Sequence, residues 1–184
     1  MKSIIFSVFI LLAHSTTFSQ TIREYQFSTY KTPRYTIAKK SPINFMSNTT
    51  AKKFKTKISE GYKTGKIDFA SYYITVIWGC GTGCINGAMV DVRDGKVYNL
   101  PLNSGNAYSG CFTNISNDDK EDRYEINKNS LLFITSVCEE TGTKNPNQKL
   151  QSKNYFINIW NEKTKKFKLE KKIVVNSLVT PTDN

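Results

Sequence analysis

The sequence predicts an α+β protein, mainly antiparallel β, built as a small twisted sheet or partly open barrel with one amphipathic N-terminal helix. Three observations predict it. Apolar residues between positions 48 and 62 recur at helical spacing. The chain beyond them reads as β-branched and aromatic runs divided by turn residues. Those runs have no crossover helices between them, and parallel strands would need them.

Taken in order, residues 20–47 are polar and irregular, with Pro33 and Pro42, and read as a leading strand or extended arm. Ser47, Asn48, Thr49 and Thr50 offer helix N-caps. Ala51, Phe54, Ile58 and Tyr62 then mark the apolar face of one helix of about 12–15 residues, with Lys52, Lys53, Lys57 and Glu60 on other faces and Gly61 and Gly65 as stop signals. Its lysine face reads as solvated. Tyr72 to Trp78 is a core strand. Ala88–Val92 and Lys96–Leu100 flank Asp94-Gly95, a hairpin signal because type I′ turns need positive φ. A two-residue loop pairs Val92 with Val97 but sets Arg93 opposite Lys96, so a four-residue loop is the alternative. Leu131–Cys138 is a further strand. Tyr155–Trp160 and Phe167–Val175 form a last hairpin around Asn161-Glu162-Lys163-Thr164. Residues 103–129 and 139–152 read as loops.

The N-terminus has its own pattern. Lys2 precedes an apolar run from Ile4 to Ala13, and Thr17 and Ser19 supply small residues for cleavage after Ser19. The run is about ten residues, against roughly 20 for a membrane span. The expected organisation is a signal peptide over 1–19, one β-rich domain over 20–176 and a flexible tail over 177–184. The alternative for the leader is a buried strand or helix. Export to the periplasm or the extracellular space follows from the leader, with no transmembrane segment.

Charge and cysteine content narrow the partners. The chain carries 26 Lys and Arg against 15 Asp and Glu, a net charge of +11. Arg23, Arg34, Arg93 and Arg123 are the arginines, so the excess is lysine, which suits loosely held anions better than bidentate recognition. The expected partners are an anionic envelope component or an acidic protein. No nucleic-acid-binding motif is present. The four cysteines, Cys80, Cys84, Cys111 and Cys138, allow three disulfide connectivities in an oxidising compartment. Cys80–Cys84 with Cys111–Cys138 is favoured, because the glycines between Cys80 and Cys84 let the chain turn back sharply. A 111–138 bridge is worth about 3–4 kcal/mol.

The sole histidine is His14, inside the leader. Without it the domain has no Ser–His–Asp or Cys–His machinery and no histidine-containing zinc site. It also lacks the side chain best suited to proton transfer near neutral pH. The sequence assigns no catalytic residue, metal or cofactor, and leans away from an enzyme.

One segment is distinctive: Trp78-Gly79-Cys80-Gly81-Thr82-Gly83-Cys84, then Gly87-Ala88-Met89-Val90-Asp91, then Gly95-Lys96-Val97-Tyr98-Asn99-Leu100-Pro101. It resembles a functionally uncharacterised family of small exported bacterial proteins with the pattern W-G-C-G-(S/T)-x-C, G-A-x-x-D and G-K-V-Y. The likeness takes in Asn129-Ser130-Leu131-Leu132 and the final hairpin, spanning roughly residues 67–169. That family often has an F-A-G-H-Y-like run before the tryptophan strand, where this chain has Phe69-Ala70-Ser71-Tyr72-Tyr73. An activity resting on that histidine would not be shared. The resemblance implies export and a fold, and no reaction.

Physically, the glycine-cysteine loop reads first as a disulfide-pinned turn. An anion-binding nest and a redox or metal site are the alternatives, and C-x-x-x-C is not thioredoxin spacing. The candidate binding residues are Trp78, Gly79, Gly81, Thr82, Gly83, Asp91 and Tyr98. Ser104 and Tyr108 join them because Ser104-Gly105-Asn106-Ala107-Tyr108 is similar to the S-G-x-x-Y loop of exported lysozyme inhibitors. The acidic stretch Asp118, Asp119, Glu121, Asp122 and Glu125 lacks EF-hand spacing and reads as a solvated loop. The favoured function is an exported, disulfide-stabilised, non-catalytic binding or accessory protein of the cell envelope. A carboxylate-dependent glycan-active enzyme and a lysozyme-inhibitor-like protein are the alternatives.

Overall fold

A computed structural model describes residues 24–36, 39–81, 84–102 and 123–180. The leader, the Cys111 end of a bridge, Ser104, Tyr108, Thr82, Gly83 and the acidic stretch up to Asp122 lie outside the described residues. Among the described residues, two helices, α1 (Thr49–Lys53) and α2 (Lys55–Thr64), precede seven strands. These are β1 (Tyr73–Gly81), β2 (Cys84–Asp91), β3 (Val97–Asn99), β4 (Tyr124–Ile126), β5 (Leu132–Gly142), β6 (Lys149–Asn161) and β7 (Lys166–Val179). Among the described residues they form two antiparallel sheets, β1-β2-β3 and β4-β5-β6-β7, not closed into a barrel. The mainly antiparallel β class with a helix N-terminal to the sheets is therefore what the chain adopts.

Period-two alternation builds the layers. On one face of the first sheet, Ile74, Val76, Trp78, Ala88 and Val90 meet Ala51, Ile58 and Tyr62 of the helices. Its other face, with Tyr73, Ile85 and Met89, packs on Phe133 and Trp160 of the second sheet. The far side of the second sheet, with Leu132, Ile134, Ile157 and Ile173, is covered by Tyr25, Phe27 and Tyr30 of the N-terminal arm. Among its described residues the arm turns at 27–29 and forms isolated bridges from Lys31 to Ser130 and from Asn44 to Lys96.

The single expected helix is divided at Phe54, yet all four apolar positions face the sheet. Asn48 is the N-cap, its side chain accepting from the Ala51 N–H at 2.8 Å. Gly61 does not end α2. It lets the helix approach the sheet, where an added Cβ would lie 2.6 Å from a Val76 methyl. The Lys40 ammonium closes the other end, donating to the carbonyls of Tyr62 and Gly65 at 2.7 Å each, the favourable charge for a helix C-terminus.

Three boundaries differ from the sequence reading. The β2–β3 hairpin takes the four-residue loop: Val97 pairs with Val90, and Asp91 accepts from Gly95 N–H at 2.8 Å. Val92 is released to bond Tyr72 instead. The stretch 139–152 is largely strand, because Glu139–Gly142 and Lys149–Ser152 extend the β5–β6 ladder. The β7 strand runs to Val179, three residues into the expected tail.

Candidate binding site

Two turns of the same construction face each other across the interface between the sheets. The loop after Asp91 runs from Val92 to Gly95, and the loop after Asn161 from Glu162 to Lys165. Each is closed by a 2.8 Å hydrogen bond from its fourth residue's N–H to the carbonyl preceding the loop. In each, the preceding Asx side chain accepts an N–H two residues on, at 3.0 Å. The fourth residue is left-handed in both: Gly95 at φ 73° and Lys165 at φ 54°.

Their side chains interlock. Asp91 accepts from the Arg93 N–H at 3.0 Å and Nε at 2.8 Å on Oδ1, and from Arg93 Nη2 at 2.5 Å and Lys165 Nζ at 3.5 Å on Oδ2. Glu162 accepts from Arg93 Nη2 and Lys165 Nζ at 2.5 Å each on Oε1, and from Tyr73 Oη at 2.7 Å and Trp160 Nε1 at 2.8 Å on Oε2. Each carboxylate thus has four donors, the full capacity of its two oxygens. Two anions balance two cations.

Environment sets the proton affinities. Burial alone would raise the Glu162 carboxyl, but the hydrogen bonds from Lys165, Arg93, Tyr73 and Trp160 outweigh it and hold it down at about 2. The hydrogen bond to Asp91 fixes the Arg93 proton, pushing that group further up. Burial, then the bond to Glu162, drives the Tyr73 phenol well above its ordinary range. Burial and the nearby carboxylates push Tyr98 up to about 12. The Arg93 guanidinium lies 3.8 Å over the Tyr72 ring.

Beside this cluster is a depression of about 450 Å³ lined by the rings of Tyr98, Trp160 and Phe167 and by Lys96, Lys165 and Lys166. Asn48 and Asn99 also line it, Asn48 Nδ2 donating to Asn99 Oδ1 at 3.0 Å. Tyr98 stands edge-on to Trp160 with ring centres 5.4 Å apart. The charged residues lining the depression are all lysines.

The residues nominated from sequence are not in one place. Tyr98 lines the depression, and Asp91 is sealed in the cluster with its side chain 2% exposed. Trp78 is core, its ring 4.9 Å from Phe54. Gly79 and Gly81 are exposed at the opposite end of β1 from the Tyr73–Asp91 pair. Cys80 and Cys84 are joined there in a disulfide with Cα atoms 5.1 Å apart. Cys138 is disulfide-bonded too, its partner lying outside the described residues. Sequence reasoning missed Tyr73, Arg93, Trp160, Glu162 and Lys165. The signal for them was the matched pair of loops, Asp91 to Lys96 and Asn161 to Lys166. No family model, curated protein or solved structure matches this chain. Any function is therefore argued from geometry. No helix among the described residues is long and apolar enough to cross a membrane.

Proposed function

We propose that the chain is an exported, non-catalytic binding protein that holds an anionic ligand of the cell envelope in the depression beside Tyr98. One observation carries the reading. The two carboxylates of the cluster are saturated by internal donors, among them Lys165, while Lys166 and Lys96, the latter paired with the exposed Asp94 at 3.1 Å, are the cations left to face a ligand. A carboxylate with four donors has no lone pair left to take a proton from a substrate or to attack one. Lysines around an apolar base suit a ligand with a negative group on a ring-shaped body. The oxidised cysteines and the absence of a membrane-crossing helix among the described residues are compatible with export.

The test is titration of the protein with polygalacturonate and with dextran of equal length, followed by intrinsic fluorescence. Binding of the acidic polymer, weakened about tenfold by Lys96→Glu with Lys166→Glu and by added salt, is the expected result. Equal binding of dextran would overturn the reading. So would equal weakening by Lys57→Glu on the helix, a residue that does not line the depression.

A further inference from the structure

A second depression, of about 420 Å³, lies between the N-terminal arm and the turn that joins β4 to β5, and it shares no lining residue with the depression beside Tyr98. Phe27, Lys31, Thr32, Arg34, Asn127 and Asn129 line it, and among the described residues no acidic side chain does. The arm is fastened here. Lys31 bridges to Ser130, the Thr32 N–H donates to the Asn129 carbonyl at 2.9 Å, and the Thr32 and Ser71 hydroxyls share a 2.6 Å hydrogen bond. Pro33 follows, its ring fixing φ, and the Tyr35 ring packs on Tyr72 with centres 4.8 Å apart. Arg34 is therefore held through its neighbours on both sides.

Acceptors and cations are unequally used in this lining. The Asn127 carbonyl accepts from the Ser130 N–H at 3.1 Å, Asn127 Oδ1 accepts from the Asn129 N–H at 2.9 Å, and the Asn129 carbonyl accepts from Thr32. By contrast, neither Lys31 nor Arg34 makes an ion pair or a side-chain hydrogen bond among the described residues. Two like charges lining one depression repel each other until an anion comes between them. We propose that this depression is a binding site for a phosphate monoester. Such a group carries about −1.5 to −2 charges at neutral pH and so balances both cations, where a carboxylate would balance one. Arg34 offers a planar fork for two phosphate oxygens, and Lys31 a point charge for a third. The volume falls within the roughly 300–1,000 Å³ of pockets for small organic ligands, and Phe27 supplies an apolar surface for the organic part of the ester.

Calorimetric titration of the full chain at low salt with phenyl phosphate, inorganic phosphate and benzoate tests this. Phenyl phosphate should bind, and inorganic phosphate and benzoate should each bind about tenfold more weakly. Arg34→Gln and Lys31→Gln, both at exposed positions, should each weaken phenyl phosphate about tenfold with unchanged circular dichroism. Arg34→Lys should fail to restore full affinity, because the fork is lost. Lys96→Glu with Lys166→Glu should leave the affinity unchanged, which separates this site from the depression beside Tyr98. Absence of phenyl phosphate binding would overturn the proposal. Benzoate binding as tightly would overturn the choice of a dianion, and inorganic phosphate binding as tightly the choice of an ester. Binding indifferent to both Arg34→Gln and Lys31→Gln, or lost in the Lys96 and Lys166 double variant, would put the ligand elsewhere and overturn the proposal as well.

Discussion

At the residue scale, Lys165 has a left-handed backbone at φ 54°, where an L-residue loses about 1–2 kcal/mol. The equivalent place in the other turn is Gly95, which avoids that loss. A lysine is tolerated because its ammonium reaches Glu162, Tyr73 and Asp91 together. The strain is offset by charge-assisted hydrogen bonds that a glycine could not make. Glu162→Gln should therefore destabilise the protein by about 1 kcal/mol at neutral pH, the value being modest because Glu162 is partly exposed. The effect should depend on pH with a definite sign. The folded carboxyl titrates at about 2, below its ordinary 4.5, so the unfolded chain binds more protons between those values. The stabilisation is complete above about pH 5 and disappears as pH falls toward 2. Urea midpoints of the two proteins should differ at neutral pH and converge below about pH 3. Asp68 acts in the opposite sense. Burial raises its carboxyl against hydrogen bonds from Thr75, so its contribution weakens stability as pH rises through the ordinary aspartate range. Comparing wild type with the Glu162 variant cancels that background.

At the element scale, the helix region shows how much local sequence conveyed. Ala51, Phe54, Ile58 and Tyr62 are spaced for a helix face, and they meet the sheet as spaced. The break at Phe54 was not legible. It brings the Phe54 ring onto Trp78, a contact between residues far apart in sequence. Gly61 shows the same limit, since a glycine in a periodic run reads as a stop until the sheet beneath it is known. The cap was legible. Asn48→Ala should cost about 1 kcal/mol, read as a lowered thermal midpoint, because it orphans the Ala51 N–H. In the hairpins, Asp94-Gly95 located the turn, but the two-residue loop it suggested gives way to the four-residue alternative, in which Val90 pairs with Val97. The β5–β6 extension was hidden by its polarity: Glu139, Glu140, Gln151 and Ser152 resemble loop residues, and their strand is held by the ladder rather than by burial.

At the scale of the whole molecule, four layers succeed one another: helices, first sheet, second sheet, arm. The Trp160, Tyr73 and Phe133 side chains between the sheets are essentially fully buried, each contributing roughly 1.5–3 kcal/mol. The Cys80–Cys84 bridge lies outside this packing, at an exposed hairpin end, with a sequence separation of 4. Such a short loop contributes at most about 2 kcal/mol in the chain-entropy view. Cys80→Ser with Cys84→Ser should therefore leave circular dichroism unchanged and lower the thermal midpoint modestly. A collapse of the fold would give the bridge a role in the core that its position does not suggest.

By itself the sequence determined the β-rich class, the helix face, the neighbourhood of the Asp94-Gly95 and Asn161–Thr164 turns and the excess of lysine over acidic groups, and it favoured the Cys80–Cys84 pairing among three. These follow from spacing, backbone freedom and composition, which act between near neighbours or over the chain as a sum. Only the tertiary structure decided that Asp91 is locked rather than available, that Trp78 is core while Tyr98 lines a depression, and that Glu162 and Lys165 complete a cluster begun by Arg93. Those facts depend on which face of one sheet meets which turn of the other, and no local pattern encodes a contact between residues about seventy positions apart.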